Sequence, residues 1–426
     1  MSPEIKSDAA LCGDKGYPMS LCAAHHALAD KFLFRGSYPQ VPVSEALLAL
    51  MEFAFSEEEA RILTALSFTP LPARVIARRL KMPVGLVRPI LDSLADRLFI
   101  ARMKVGKISL YNFMLLIPGI FELQMLRSKN PGADMAWFTR FAELFSRAYE
   151  NFVAWGEPKT RGKDMRFGRI IPVEKSLESV SGIMPLATDR FSEFVDRSKS
   201  FCLANVCACR QEKTLLGEGC GRGMEVCGGM GLLADFAVAK GLARRVDRQE
   251  FMEAKQRAAE LGLVNMVDNL LDPLQVCSCC TCCCAGLRVI KQYNIPTLIA
   301  RSHFLPEIDE SLCIGCGKCA KVCPMEALSL GPDKKMQIDH TRCFGCGLCV
   351  LKCEKQKAIN LVERDGHKGP APDVTTYFSE RVREMQEKEH SPLTGLGLDA
   401  ARFLINKAGL GISGPNQRDL TRFFED

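Results

Sequence analysis

Cysteine is the residue type in this chain that most clearly points to chemistry, and its positions are strongly clustered. The sequence has 21 cysteines, and 19 of them fall between Cys202 and Cys353. A disulfide framework would spread its cysteines over the fold, and the polar N terminus does not have the pattern of a secretory signal. The clustering therefore predicts metal or cluster ligands in a reducing cytoplasm.

Eight of these cysteines form two runs with the spacing Cys-x2-Cys-x2-Cys-x3-Cys. A tight loop with this spacing presents three thiolates to one iron-sulfur cubane, and the fourth cysteine of each run ligates the other cluster. We therefore expect two 4Fe-4S clusters as cofactors. The expected ligands are Cys313, Cys316, Cys319 and Cys353 for one cluster, and Cys343, Cys346, Cys349 and Cys323 for the other.

The two runs lie in an internal repeat. Ile308-Asp309 recurs as Ile338-Asp339, which predicts two β-α-β-like halves. Residues 306–364 resemble the bacterial two-cluster ferredoxin domain. The second run departs from that pattern at Glu354, which stands where the first run has proline. A carboxylate near a cluster is expected to favour the oxidised state and to lower the potential.

Ten further cysteines form a second field, in which we predict one or two additional iron-sulfur clusters. Adjacent cysteines are expected to point to different irons. The final run therefore fits two interleaved sets on the x2 spacing: one set is Cys277, Cys280 and Cys283, and the other is Cys279 and Cys282. A structural zinc on Cys207, Cys209, Cys220 and Cys227, or a thiol redox relay, is the alternative. The ten are Cys207, Cys209, Cys220, Cys227, Cys277, Cys279, Cys280, Cys282, Cys283 and Cys284.

Three cysteines stand outside every ligand spacing. These are Cys12, Cys22 and Cys202, which are interpreted as buried or incidental thiols.

The segments that carry these sites are predicted to form a multidomain chain that is mainly α with small α+β parts. It would have a winged-helix-like head, a helical cysteine-rich middle and a bacterial-ferredoxin-like (βαβ)2 domain. We expect a leader at 1–55, the winged helix at 56–117, a helical connector at 118–200, the cysteine-rich domain at 201–300, the ferredoxin domain at 301–365 and a helical tail at 366–426. The longest apolar stretch is too short to span a membrane.

The winged-helix prediction rests on a capping box at Ser56, helices near 73–80 and 84–98, and a short 103–111 segment. Residues 56–117 carry ten Lys and Arg against five Asp and Glu, a net charge of +5 that could attract phosphates. The start of the third helix, Pro83 to Pro89, offers only Arg88 for reading bases. We therefore favour a protein-docking or structural module over DNA binding.

The order of motifs resembles a family of multidomain bacterial proteins described as 4Fe-4S ferredoxin-like. The motifs are the winged-helix head, Cys-x-Cys-Arg-Gln-Glu at 207–212, the Gly-rich segment at 217–227, the six-cysteine run and the two ferredoxin runs. The resemblance spans about 56–353. It implies a cluster-binding, electron-transfer role for the eighteen cysteines assigned above, and it implies no substrate.

The expected function is that of a cytoplasmic iron-sulfur protein of anaerobic metabolism, which passes single electrons to or from a partner oxidoreductase. No Rossmann fingerprint, P-loop or convincing flavin site is present, which argues against two-electron nicotinamide chemistry within this chain. We assign no catalytic residue and favour a non-catalytic redox subunit. One alternative is a redox-responsive transcription regulator that uses the winged helix. Another is a catalyst in which a cluster iron is open to substrate.

Overall fold

The structure is a computed structural model, which describes residues 19–33, 42–160, 168–180, 184–293, 299–367 and 369–370. Within these residues the chain divides into two compact units. The first contains residues 19–121 and 140–152, and the second contains residues 122–139 and 153–370. The tail helices predicted near 376–390 and 398–407 lie outside the described residues, as does Cys12.

Helices and one small antiparallel sheet make up the first unit. Its elements are α1 (Met19–Phe32), α2 (Glu45–Ala54), α3 (Glu57–Ala65), β1 (Leu71–Pro72), α4 (Ala73–Leu80), α5 (Val84–Asp96), β2 (Ile100–Val105) and β3 (Ile108–Phe113). The strand order is β1-β3-β2. Two further helices follow in the sequence and have residues in both units: α6 (Phe121–Arg127) and α7 (Met135–Thr160).

Local sequence signals explain why these helices form. The capping box predicted at Ser56 is present: the Ser56 hydroxyl accepts from the Glu59 N–H, and the Glu59 carboxylate accepts from the Ser56 N–H. The predicted leader contributes α1, which packs against α3. Lys31 of α1 donates to the carbonyl oxygens of Leu63 (3.0 Å) and Thr64 (2.8 Å) at the end of α3, where a cation is favourable.

The second unit is built on a seven-stranded sheet in the order β10-β4-β8-β9-β6-β5-β7. The pairing is antiparallel except between β10 and β4. Its elements are β4 (Gly168–Ile170), α8 (Phe191–Arg197), β5 (Phe201–Ala204), α9 (Ala208–Leu215), β6 (Gly228–Met230), α10 (Leu232–Ala239), β7 (Ala243–Val246), α11 (Arg248–Glu260), β8 (Val264–Asp268), β9 (Gln275–Cys279), α12 (Ala285–Tyr293) and β10 (Ile299–Ala300).

The sheet corrects the prediction of a helical cysteine-rich middle, because this part of the chain mixes helix and sheet. The strands have two to five residues and are rich in cysteine and glycine, so they show little of the alternation that identifies a strand. Gly228 of β6 is packed so closely that a Cβ there would lie 2.7 Å from the Cys202 carbonyl oxygen. Close packing within the sheet therefore requires glycine at position 228.

The cysteine runs from 313 to 353 lie among short elements in two similar halves. These are β11 (Phe304–Ile308), α13 (Lys318–Val322), β12 (Leu328–Leu330), β13 (Met336–Ile338), α14 (Leu348–Leu351) and β14 (Ile359–Glu363). Strand β11 pairs with β14, and β12 pairs with β13. The repeat is visible in detail, since Asp309 accepts from the Ser311 N–H at 2.9 Å and Asp339 accepts from the Thr341 N–H at 2.8 Å.

His303, just before β11, ties this region to the rest of the second unit. Its Nδ1 lies 3.0 Å from Asp189 Oδ2 and its Nε2 lies 3.1 Å from Glu363 Oε1. Burial lowers the pKa of His303, but hydrogen bonds and charge from Asp189 and Glu363 outweigh burial and raise that pKa above 6.5.

A histidine with a raised pKa in the folded chain gives the stability a defined pH dependence. The contribution of His303 is fully present below pH 6.5, the unfolded value, and is lost as pH rises through the folded pKa. We therefore expect the thermal midpoint to fall between pH 6 and pH 9, and His303→Gln to flatten that part of the profile. Equal slopes for the native chain and the variant would contradict this assignment.

Candidate metal centres

One cavity that opens to solvent is lined by Cys313, Cys316, Cys319 and Cys353. The fourth cysteine comes from the second run, so the chain crosses over between the runs. Cys316 is exposed, whereas Cys313 and Cys319 are buried. The Met336 N–H points to Cys313 Sγ at 3.4 Å, as expected of a backbone that donates to thiolate sulfur. These are the four thiols that the sequence assigns to one cubane, and they line the same cavity.

The remaining cysteines of the two runs lie close together: burial, with charge from neighbouring thiols that include Cys323, raises the pKa values of Cys343, Cys346 and Cys349. Backbone N–H groups again donate to sulfur, from Gly345 to Cys343 at 3.4 Å and from Ala327 to Cys323 at 3.3 Å. Burial, with Cys343 and Cys323 nearby, raises the pKa of Cys346 to about 12. A lone thiolate is unfavourable here, so this set suits a group that spreads the negative charge over several irons.

Two glycines allow the loops to approach these thiols. Gly345 has φ +76°, and a Cβ there would lie 1.9 Å from the Phe304 carbonyl oxygen. Gly315 has φ +64°, and a Cβ would lie 2.0 Å from the Lys334 carbonyl oxygen. No side chain fits at either position without movement of the backbone.

Gly345→Ala is expected to destabilise the chain by about 1–3 kcal/mol more than Gly317→Ala, because of the added steric overlap. Gly317 is a matched control with φ +70° and open space within 4 Å of the Cβ that alanine would add, so its replacement costs only the backbone strain, about 1 kcal/mol. The difference can be measured by denaturant unfolding of the full chain. Equal costs for the two variants would show that the close approach to Phe304 is absent.

The ten cysteines of the second field, which we call the middle field, form two groups. The first group is compact. We call Cys220, Cys280, Cys282 and Cys283 the tight group, because their Sγ atoms all lie within 4.8 Å of one another. The Sγ atoms of Cys220 and Cys280 are 4.0 Å apart, and those of Cys282 and Cys283 are 3.9 Å apart. A hydrogen bond from Cys283, with help from the Arg210 guanidinium, lowers the pKa of Cys280 to about 3.

The other six cysteines form a more extended group, which we call the six-thiol group. The direction of the pKa shift alternates between neighbouring thiols. Hydrogen bonds from their neighbours lower the pKa values of Cys207, Cys277 and Cys284. The pKa values of the intervening donors, Cys209, Cys227 and Cys279, are raised. Each thiol is hydrogen-bonded to the next in the order Cys209, Cys284, Cys279, Cys277, Cys227 and Cys207.

This grouping differs from the two interleaved sets expected from the x2 spacing. Cys277 and Cys279 lie on β9 and share one face of the strand, since side chains alternate with a period of two. The turn after β9 takes Cys280, Cys282 and Cys283 to the tight group. The adjacent pair Cys282 and Cys283 therefore belongs to one group, contrary to our expectation. Of the four thiols of the zinc alternative, Cys220 lies with Cys280, Cys282 and Cys283, and it packs in a buried cluster of side chains that also includes Cys207, Cys209 and Cys227.

Two buried cations adjoin the thiols, and sequence reasoning assigned them no role. Arg210 is 2% exposed and donates to the carbonyl oxygens of Gly223 (3.1 Å) and Ser278 (3.3 Å). Lys255 is also 2% exposed, and its Nζ donates to the carbonyl oxygens of Val226 (2.8 Å) and Val276 (3.0 Å). Charge from Cys207, Cys280 and Cys227 raises the pKa of Arg210 despite burial.

These cations could have been suspected from the sequence. Arg210 directly follows Cys209, and Lys255 stands beside the apolar positions Phe251, Ala254 and Ala258 of α11. Burying such charges is costly unless negative charge lies beside them. Neither forms an ion pair with a carboxylate within the part of the chain that the structure describes. The thiolates, or an anionic group bound to them, supply the compensation.

Glu354, the departure from the ferredoxin pattern, is exposed and pairs with Lys175 at 3.0 Å. The Lys175 ammonium lowers the pKa of Glu354 by hydrogen bonding and charge. Because the carboxylate is exposed and paired, we expect its influence on a cluster to be smaller than that of an unpaired carboxylate.

Comparison with known proteins gives one match. The family model of a 4Fe-4S dicluster domain matches residues 306–361. No curated protein and no solved structure matches the chain. Among the described residues, no helix has both the length and the apolar character needed to cross a membrane. The match and the cysteine geometry agree on a C-terminal ferredoxin-like domain that suits iron-sulfur clusters.

Proposed function

We propose that this protein is a cytoplasmic electron-transfer protein of anaerobic metabolism, a redox subunit that passes single electrons to or from a partner oxidoreductase. The observation that carries the proposal is the matched dicluster domain, in which four cysteines from both runs line one cavity. Each 4Fe-4S cluster would supply one-electron chemistry when bound. One cluster would be held by Cys313, Cys316, Cys319 and Cys353, and the other by Cys323, Cys343, Cys346 and Cys349.

The first cluster is proposed as the point of electron exchange with the partner. Its ligand Cys316 is exposed, and apolar side chains stand out to solvent around it: Leu312 (47%), Ile314 (64%) and Leu330 (58%). Exposed apolar residues close to a redox site suit a transient protein contact. The second set is more buried and suits an internal position in the path.

Contiguous apolar packing links the thiol sets within the second unit. Cys319 and Cys349 share one buried cluster of side chains, which joins the two ferredoxin sets. Cys343 shares another with Cys277, Cys279 and Cys284, which joins the second ferredoxin set to the six-thiol group. Electrons could therefore pass from the first cluster to the second and on to the middle of the protein.

The six-thiol group is proposed to hold one further iron-sulfur cluster. It offers more thiolates than the four corners of a cubane require, and its thiols are spread out in a chain. The buried cations Lys255 and Arg210 provide the positive charge that an anionic cluster requires. This centre would be the inner end of the electron path.

Iron and acid-labile sulfide, measured per full chain after anaerobic purification, test the proposal. Two ferredoxin clusters require about eight irons, and one further cubane raises the count to about twelve. Stepwise reduction followed by EPR should show at least three one-electron centres. A count near eight would contradict the middle cluster, and a count well below eight would contradict the electron-transfer function.

The alternative of a DNA-binding regulator receives less support from the first unit. At the start of α5, Val84 and Leu86 are exposed (47% and 58%), which suits protein contact better than base readout. Arg102 pairs with Asp92 and Asp96 at 3.1 and 2.8 Å, so part of the positive charge is neutralised. We propose a docking module here. Salt-dependent binding of the chain to duplex DNA would overturn this assignment.

A further inference from the structure

The tight group has the dimensions of a site for one metal ion. A zinc ion binds four thiolates in a tetrahedron with Zn–S bonds of about 2.3 Å, which places the sulfurs about 3.8 Å apart. The Sγ separations of 4.0 Å for Cys220 and Cys280, and 3.9 Å for Cys282 and Cys283, agree with this value. All four sulfurs lie within 4.8 Å of one another.

The ferredoxin-like domain provides an internal comparison. A cubane attaches each thiolate to a different iron, so it needs space between the thiols for irons and sulfides. Cys313, Cys316, Cys319 and Cys353 enclose such a space. Among the described residues, the tight group is the one set of cysteines whose sulfurs approach this closely, and it has no room for a cubane.

Local structure holds the four ligands in place. Cys280, Cys282 and Cys283 belong to the turn between β9 and α12, which is closed by a hydrogen bond from the Cys284 N–H to the Cys280 carbonyl at 3.1 Å. Cys220 lies in the glycine-rich loop 217–223. Arg210 connects loop and strand by donating to Gly223 and Ser278, and its charge lies near Cys280. A site assembled in this way requires little rearrangement to bind an ion.

We propose that Cys220, Cys280, Cys282 and Cys283 bind one structural zinc ion. Four thiolates form a closed tetrahedral site with no open position, which is typical of structural zinc and leaves no role in electron transfer. The ion would fasten the glycine-rich loop to the turn beside the six-thiol group. Zinc is preferred to ferrous iron because it binds such ligands more tightly. The proposal does not depend on the proposed electron-transfer function.

Metal analysis of the full chain with matched cysteine variants tests the zinc site. Cys282 is the exposed ligand, so Cys282→Ser perturbs the fold least, and Cys202→Ser, a buried cysteine outside both groups, is the control. We expect one zinc per chain in the native protein and in C202S. In C282S zinc should be lost, with affinity at least about tenfold lower. Iron should be the same in all three, which shows that the ferredoxin-like domain remains folded.

Three results would overturn the proposal: native protein without zinc, zinc retained fully by C282S, or C282S that loses iron. Cobalt substitution of the native chain provides a second readout that needs no variant. Bound Co²⁺ should show the intense visible bands of a tetrahedral thiolate site, and zinc should abolish them at one equivalent. An octahedral spectrum, or none, would also exclude the site. Because zinc and iron are counted separately, failure here is distinguishable from failure of the electron-transfer function.

Discussion

Cys346→Ala is expected to lower the iron content by about four atoms per chain while leaving the other clusters in place. Cys346 is proposed as one of four ligands of the second cluster, and alanine offers the irons no replacement. The cluster loses one corner in a site where unligated thiolates are unfavourable, since burial raises the pKa values of the remaining ligands Cys343 and Cys349. Iron analysis and the EPR amplitude of the reduced protein measure the loss.

The first cluster should survive this change because its ligands are separate. Cys313, Cys316, Cys319 and Cys353 line their own cavity, so their signal should persist in C346A. Cys202→Ala is the matched control, since Cys202 is buried on β5 and belongs to neither thiol group of the middle field. If C202A loses as much iron as C346A, the loss reflects general destabilisation and the ligand assignment is wrong. The electron path would also be cut, because the second cluster joins the first to the middle.

The ferredoxin-like part could be predicted because its information is local. Three of the four thiols of each set lie within seven residues, and the loop that carries them is specified by glycines such as Gly315 and Gly345. The spacing therefore indicates the chemistry before any tertiary contact is known, and the family match at 306–361 supports it.

Grouping in the middle field could not be predicted, because strand pairing decides it. Cys277 and Cys279 share a face only because 275–279 is a strand, and β9 pairs with β6, immediately after Cys227. These partners are about fifty residues apart in the sequence. The x2 spacing of a ligand loop would instead place Cys277 with Cys280 and Cys283. Nothing in the local sequence shows whether these cysteines lie on a loop or on a strand. The sheet could not be predicted for the same reason: its strands are short and lack an alternating sequence pattern, so only their pairing defines them.

Lys255→Met is expected to remove the middle cluster while the eight ferredoxin irons remain. Methionine nearly preserves the volume of lysine but removes a buried cation that adjoins Cys227, Cys277 and Cys279. It also removes the donor to the carbonyl oxygens of Val226 and Val276. Removing one member of a buried charge pair costs on the order of 3–5 kcal/mol, enough to weaken the affinity for the cluster by more than about a hundredfold.

The control for Lys255→Met lies on the same helix. Arg257 is exposed on α11 and pairs with Glu253 at 3.6 Å, so Arg257→Met deletes a positive charge without exposing a thiolate to an uncompensated environment. We expect R257M to keep about twelve irons per chain and K255M to keep about eight, with unchanged ferredoxin signals in both. If K255M retains all its iron and the same reduction potentials as R257M, the buried lysine does not balance a cluster. The positive charge beside the six-thiol group would then come from Arg210, and the role assigned to Lys255 would be wrong.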